Sequence, residues 1–386
     1  MYRLALQIHE EISRHGPISF ARFMELALYA PGLGYYERQR EIGRRGDFFT
    51  SVSTGPLFGE LLAFQFAQWL GYPDDRQVVP TGSNMVGTRC RASEATFEKL
   101  QIIEAGPHEG ALAADILGWM RRWRPDILSR LEYCLIEPSP TRRVWQEQKL
   151  RDWLQKIKWV DDIAETSKTD PMQTKRIIFS NEFLDAMPVH RLAWNAAAKK
   201  WEECRVACEN GKFVWQQAPP PPELAEQLPQ ISPELAKVLP PGYVIEHSPA
   251  AITWWKKAAK TLAHGKLLTI DYGLTAEEQF RPERSEGTLR VYTRHHTSNA
   301  LLDNPGESDI TAHINFSAIE AAGRAAGLTT EGLKSQSQFL TKILAQTESE
   351  PGKFEAWTPA RTKQFQTLTH PEHLGRAFRV LVQSDS

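Results

Sequence analysis

The residues with most chemical potential in this chain are acids that close short apolar runs. Residues 100–104 (LQIIE) end on Glu104, ahead of Ala105-Gly106, and residues 133–137 (YCLIE) end on Glu137, ahead of Pro138-Ser139. Residues 157–160 precede Asp161-Asp162, residues 176–180 (RIIFS) precede Asn181-Glu182, and residues 266–271 (KLLTID) lead into Tyr272-Gly273. Runs this apolar read as strands buried on both faces, the mark of a parallel sheet. Ligands of an open α/β sheet bind beyond the carboxyl ends of its strands. The acids therefore share one rim. Such a rim does not suit a phosphate-rich ligand, which needs bare N–H groups and cations. It suits hydroxyls, an ammonium or a sulfonium.

The turn after Glu104 narrows the choice. Gly106-Pro107-His108-Glu109-Gly110 lacks the GxGxxG of dinucleotide sites, which counts against a nicotinamide-dependent oxidoreductase. A short glycine turn with an acid before it, and a second acid ending the next strand, matches the S-adenosylmethionine site of class I methyltransferases. In that arrangement the turn passes the methionine part of the cofactor, and Glu137 accepts from the ribose hydroxyls.

Helices must hold these strands. Residues 111–119, 140–154 and 254–262 have helical spacing and alternate with the strands, so the core reads as α/β with helices on both faces. Ahead of them, Leu4, Ile8 and Ile12 mark one helix face, residues 20–29 a second helix and residues 57–70 a third, apolar nearly all round. Residues 43–53 read as a loop and residues 72–97 as a polar surface excursion. Four prolines in a row, Pro219 to Pro222, cannot enter a helix or a central strand, so residues 216–242 read as a surface insertion. The expected division is residues 1–98, a helical segment with a loop that covers the cofactor, and residues 99–386, a Rossmann-like core with a mostly parallel seven-stranded sheet.

Composition sets outer limits. With 386 residues, 41% hydrophobic and 24% charged, a packed core is expected. A formal charge of −1 argues against a nucleic-acid partner. Four scattered cysteines without a CxxC pair read as reduced thiols, and no metal site is expected. The N-terminus reads as an amphipathic helix rather than a signal peptide. The longest apolar stretch, near residues 61–70, is interrupted by Gln65 and Gln68 and falls short of the roughly 20 residues of a membrane span. These features lead to the expectation of a cytoplasmic protein without a membrane span.

Longer motifs add a resemblance. Residues 18–36 (ISFARFMELALYAPGLGYY), Gly46-Asp47-Phe48-Phe49-Thr50, Ile136-Glu137-Pro138-Ser139, residues 181–191 (NEFLDAMPVHR) and Asp309-Ile310-Thr311-Ala312-His313 resemble the MidA-type methyltransferases. The group contains the mitochondrial complex I assembly methyltransferase. The resemblance implies a Rossmann-like class I fold, S-adenosyl-L-methionine as donor and arginine methylation of a protein. A respiratory-complex subunit is a candidate substrate, and a homodimer stays open. It also implies that Gly106 and Gly110 form the cofactor loop, with Glu104 just before it at the cofactor site, that Glu137 holds the ribose, that Asp161 (or Asp162) lies by the adenine, and that Asp47 and Thr50 fold over the cofactor. Two positions depart from the family pattern. His108 replaces the central glycine of the loop, and Val52-Ser53 replaces Pro-Glu. A degenerate member that binds without turnover is the alternative reading.

Methyl transfer from a sulfonium is an in-line displacement, so the protein chiefly positions its reactants. Glu182, Asp185 and Asn181 follow the fourth strand and are the candidates for orienting a guanidinium. Against this, Glu182 is a candidate helix-start acid and Asp185 a candidate N-cap. His190 and His313 stand between proton acceptor and structural histidine, and Asp271 between a rim role and a turn.

Overall fold

The computed structural model describes residues 3–38, 50–71, 97, 99–168, 173–293, 296–350 and 352–385. Asp47 and the rest of Gly46 to Phe49, most of the 72–97 excursion, Cys90 and Arg294 lie outside the described residues.

Seven strands form the main sheet: β1 (Lys99–Ala105), β2 (Leu131–Ile136), β3 (Ile157–Val160), β4 (Thr174–Asn181), β5 (Gly265–Leu274), β6 (Leu328–Ser335) and β7 (Phe378–Asp385). Their spatial order is β6-β7-β5-β4-β1-β2-β3, and the short strand Ile314–Asn315 also pairs with the end of β5. Neighbours from β5 through β3 are parallel, while β7 runs antiparallel to both β5 and β6. The parallel strands are apolar on both faces: β1 buries every residue from Leu100 to Ala105. The chain winds outward from β1 to β3 and restarts at β4 on the other side of β1. The strand order therefore reverses between β1 and β4. That is the switch point where open α/β sheets bind ligands.

Helix Leu57–Gly71 packs against helix Ala111–Trp123 and joins the same core as β1, β2 and β4. The opposite face is covered by helices Pro249–Thr261 and Phe316–Ala325. Capping sets the helix starts. Ser139 accepts from the N–H of Arg142 with Pro140 at the first turn, and Ser19 accepts from the N–H of Arg22. The helix expected over 140–154 stops at Lys149, and its last part is the 3₁₀ segment Arg151–Lys156.

The excursion between β4 and β5 is larger than the proline-rich stretch alone. It builds an antiparallel sheet from His190–Asn195, Lys200–Glu209, Lys212–Ala218 and Val244–His247, and Ile18–Ser19 of the N-terminal segment joins its edge. Pro221 and Ser232 start two short helices, and Leu224 in the first and Leu239 at the end of the second pack on Trp194, Trp201, Tyr243 and Ile245. Trp194 and Trp201 meet edge to face at 5.1 Å. These tryptophans are the core of the inserted sheet.

Candidate active site

A cavity of about 980 Å³ opens at the carboxyl ends of β1 to β4. Glu104, Gly106, Glu137 and Asp161 line it from β1, β2 and β3, and Asn181, Glu182 and Asp185 from β4 onward. Thr50 lines it from the N-terminal segment. Gly110 does not: it starts helix Ala111–Trp123 from a left-handed φ of 85°, with Leu150 where a side chain would stand.

Gly106 sits at φ +70°, and a β-carbon there would lie 2.6 Å from Cδ2 of Phe183. Only glycine lets the chain turn this tightly beneath that ring. His108 holds the left-handed region at φ 47°. The departure from the family loop is therefore accommodated by strain rather than by a new turn. The imidazole lines the cavity, and burial and then Arg142 bring its pKa down to about 4, so it is neutral.

Glu137 is 1% exposed and well supplied with donors. Its Oε1 accepts from the N–H of Ser139 at 2.9 Å and lies 3.0 Å from Nη2 of Arg142, while Oε2 accepts from Nε2 of Gln146 at 3.0 Å. A carboxylate offers about four acceptor positions, so one remains, on Oε2. Burial raises its pKa, with Arg142 opposing. Glu104 accepts from the Tyr133 hydroxyl at 2.7 Å, and burial raises its pKa to about 7. Asp161 is at the mouth, its side chain 71% exposed and paired with Arg143 at 2.5 Å. Thr50 and Ser53 cap each other through reciprocal bonds of 3.0 Å, a use for the serine that departs from the family pattern.

The 181–185 turn is held from below. Oδ2 of Asp271 accepts from the N–H groups of Leu184 at 2.9 Å, Phe183 at 3.2 Å and Asp185 at 3.4 Å. Asp271 thus anchors the turn and does not line the cavity. Glu182 occupies the left-handed region at φ 50°, and its Oε1 accepts from the N–H of Ser51 and from Nδ2 of Asn181, both at 3.2 Å. Burial pushes its pKa up to about 8. Asp185, 5% exposed, is raised well above the usual range by burial and by Asp271, Asp309 and Glu182. Oδ1 of Asn181 is buried and, among the described residues, has no hydrogen-bond partner. His190 pairs with Glu203 at 2.6 Å on the inserted sheet, and half-buried His313 stacks on Tyr272; neither lines the cavity.

Sequence reasoning missed Asp309, Tyr29, Tyr36 and Arg142, which also line the cavity. The quoted motifs contained three of them, but strand-end logic gave no reason to place them there.

The model of a family of S-adenosyl-L-methionine-dependent methyltransferases matches residues 84–334. The chain belongs to that family. A crystal structure of a Burkholderia thailandensis protein bound to S-adenosyl-homocysteine is 30% identical, with a TM-score of 0.77, over 99% of this chain and 91% of that one. A native structure from the same organism superposes with a TM-score of 0.75 over the same shares. Curated relatives include the mitochondrial protein arginine methyltransferase NDUFAF7 homolog of Drosophila melanogaster, 25% identical over 98% of this chain and 84% of that protein. The mouse protein arginine methyltransferase NDUFAF7 is 25% identical over 95% and 81%. These relatives are named as mitochondrial, which overturns the cytoplasmic expectation. Among the described residues no helix is long and apolar enough to cross a membrane.

The methyltransferase uses S-adenosylmethionine, and the cavity fits it. Glu137 keeps an acceptor position for a hydroxyl, Gly106 is the one residue its turn admits, and Phe183, Trp254 and Pro138 give the walls an apolar surface. When bound, the cofactor supplies a methyl group activated on a sulfonium.

Proposed function

We propose that this methyltransferase transfers the methyl group to an arginine side chain of a protein, with a respiratory-complex subunit as first candidate. The observation that carries this is the turn Asn181–Asp185, whose two acids open onto the same cavity as Gly106 and Glu137. In this reading Glu104, Gly106, Glu137, Asp161 and Thr50 hold the cofactor. Glu182 and Asp185 orient the guanidinium by paired hydrogen bonds. The unpartnered Oδ1 of Asn181 accepts one of its N–H groups. A guanidinium must lose a proton as it is methylated. A carboxylate whose pKa burial has raised to about 8 is a competent acceptor near neutral pH. The relatives named as arginine methyltransferases support the choice of side chain.

The test is transfer of labelled methyl from S-adenosylmethionine to proteins of the source cell, followed by hydrolysis and separation of the labelled amino acids. Label in methylarginine is the expected result. Label in lysine or a carboxyl ester would overturn the arginine reading, and cofactor binding without transfer to any protein would leave a binding factor.

A further inference from the structure

We infer that Asp309 and Asp185 form the subsite that receives the positive charge of the acceptor side chain, and that Tyr36 is the residue that positions Asp309. This rests on the arginine reading and adds the residues that select for charge.

Asp309 opens the strand Asp309–Thr311, which pairs with Arg290–Thr293 so that Asp309 stands opposite Tyr292. It is 1% exposed yet lines the cavity. Its Oδ1 accepts from the Tyr36 hydroxyl at 2.8 Å. Tyr36 comes from the short 3₁₀ turn Tyr35–Glu37, and its ring stacks on Tyr29 at 5.5 Å and 26°. Tyr29 in turn donates to the carbonyl of Ala186 at 2.9 Å. The N–H of Ala312 donates to the carbonyl of Asp185 at 2.9 Å. The strand carrying Asp309 and the turn carrying Asp185 are thus tied together directly and again through two tyrosines. Both residues line the same cavity, and Asp309 helps to raise the pKa of Asp185, so the two carboxyls interact.

The surrounding acids have their donors inside the protein. Asp271 takes the backbone N–H groups of 183–185, and Glu182 takes Ser51 and Asn181. The carboxyl of Asp185 is different. It is nearly buried and cavity-lining, and among the described residues no side chain hydrogen-bonds it; the N–H of Ala186 is its one local support. A buried carboxylate beside other carboxylates is costly unless a cation arrives. Tyr29, Tyr36 and Tyr292 line the same space, and aromatic walls favour a flat delocalised cation. The cofactor's sulfonium is also a cation, so the experiment must separate the two.

The full-length protein saturated with S-adenosyl-homocysteine, whose sulfur is neutral, is titrated with α-N-acetyl-arginine amide, its uncharged citrulline counterpart and α-N-acetyl-lysine amide. Binding is followed by NMR. Wild type is expected to bind the arginine amide and not the citrulline amide. Asp309→Asn should weaken the arginine amide at least tenfold and Tyr36→Phe about threefold. Both should keep S-adenosylmethionine and S-adenosyl-homocysteine affinities within twofold, which also reports that they fold. If Asp309→Asn does not fold, Tyr36→Phe carries the test, because it removes the hydroxyl that donates to Asp309 and keeps the ring in the wall. Selective loss of S-adenosylmethionine affinity would show that the acids serve the sulfonium and overturn the inference. So would equal binding of citrulline, unchanged arginine affinity in both variants, or no binding of either cation. Binding of the lysine amide alone, dependent on Asp309, would end the arginine reading while supporting the charge subsite.

Discussion

Glu137 and Arg142 form a buried ion pair inside the cavity, with Nη2 of Arg142 3.0 Å from Oε1 of Glu137 and the two side chains 12% and 1% exposed. The acid that ends β2 therefore shares its acceptor capacity between the protein and any ligand. One position is open on Oε2, and a second opens if Arg142 swings aside.

Glu137→Ala removes those acceptors. A hydrogen bond to a charged group contributes about 1.5–3 kcal/mol, so affinity for S-adenosyl-homocysteine should fall roughly ten- to hundredfold. Isothermal calorimetry measures it. Unchanged affinity would mean that the ribose does not sit on β2.

His108→Gly tests the loop departure. The left-handed backbone at φ 47° costs a non-glycine residue about 1 kcal/mol, which glycine recovers at some loss of chain entropy. Affinity for S-adenosyl-homocysteine should stay level or improve. A tenfold loss would assign the neutral imidazole a contact of its own with the cofactor.

Gly106→Ala places a methyl group 2.6 Å from the Phe183 ring at φ +70°. Phe183 cannot retreat freely, because its N–H is held by Asp271 and its ring meets Trp254 at 5.2 Å. We expect at least a tenfold loss of S-adenosyl-homocysteine affinity and a lower melting temperature. Wild-type values for both would show that the turn opens without cost.

Glu182 sets a pH dependence with a definite sign. Its folded-state pKa, about 8, lies above the ordinary 4.5, so the native state holds this proton more tightly than the unfolded chain. Its contribution to stability is complete below about pH 4.5 and is lost as pH rises through about 8. In Glu182→Gln, denaturant midpoints should decline less between pH 6 and 9 than in wild type. Where Glu182 accepts the proton, kcat/KM should rise with an apparent pKa near 8, and the variant should lose that limb. An unaltered profile would place the base elsewhere.

The rim of strand-end acids was legible in one dimension. Apolar runs of four to eight residues can bury both faces only in a parallel sheet, and a parallel sheet sends every carboxyl end to the same rim. Hence Glu104, Glu137, Asp161 and Asn181-Glu182 could be placed together from their positions in the strands alone. The third dimension decided the rest. Asp271 closes the apolar run 266–271, yet β5 continues to Leu274 and three N–H groups of the turn after β4 consume the carboxylate. That depends on β5 lying beside β4, a neighbour relation made across more than eighty residues. Another part of the cavity wall joins Tyr36 to Asp309, 273 residues apart, through one hydroxyl. No local pattern encodes such a bond, because packing of the N-terminal helices, and not periodicity, brings the two side chains to one cavity.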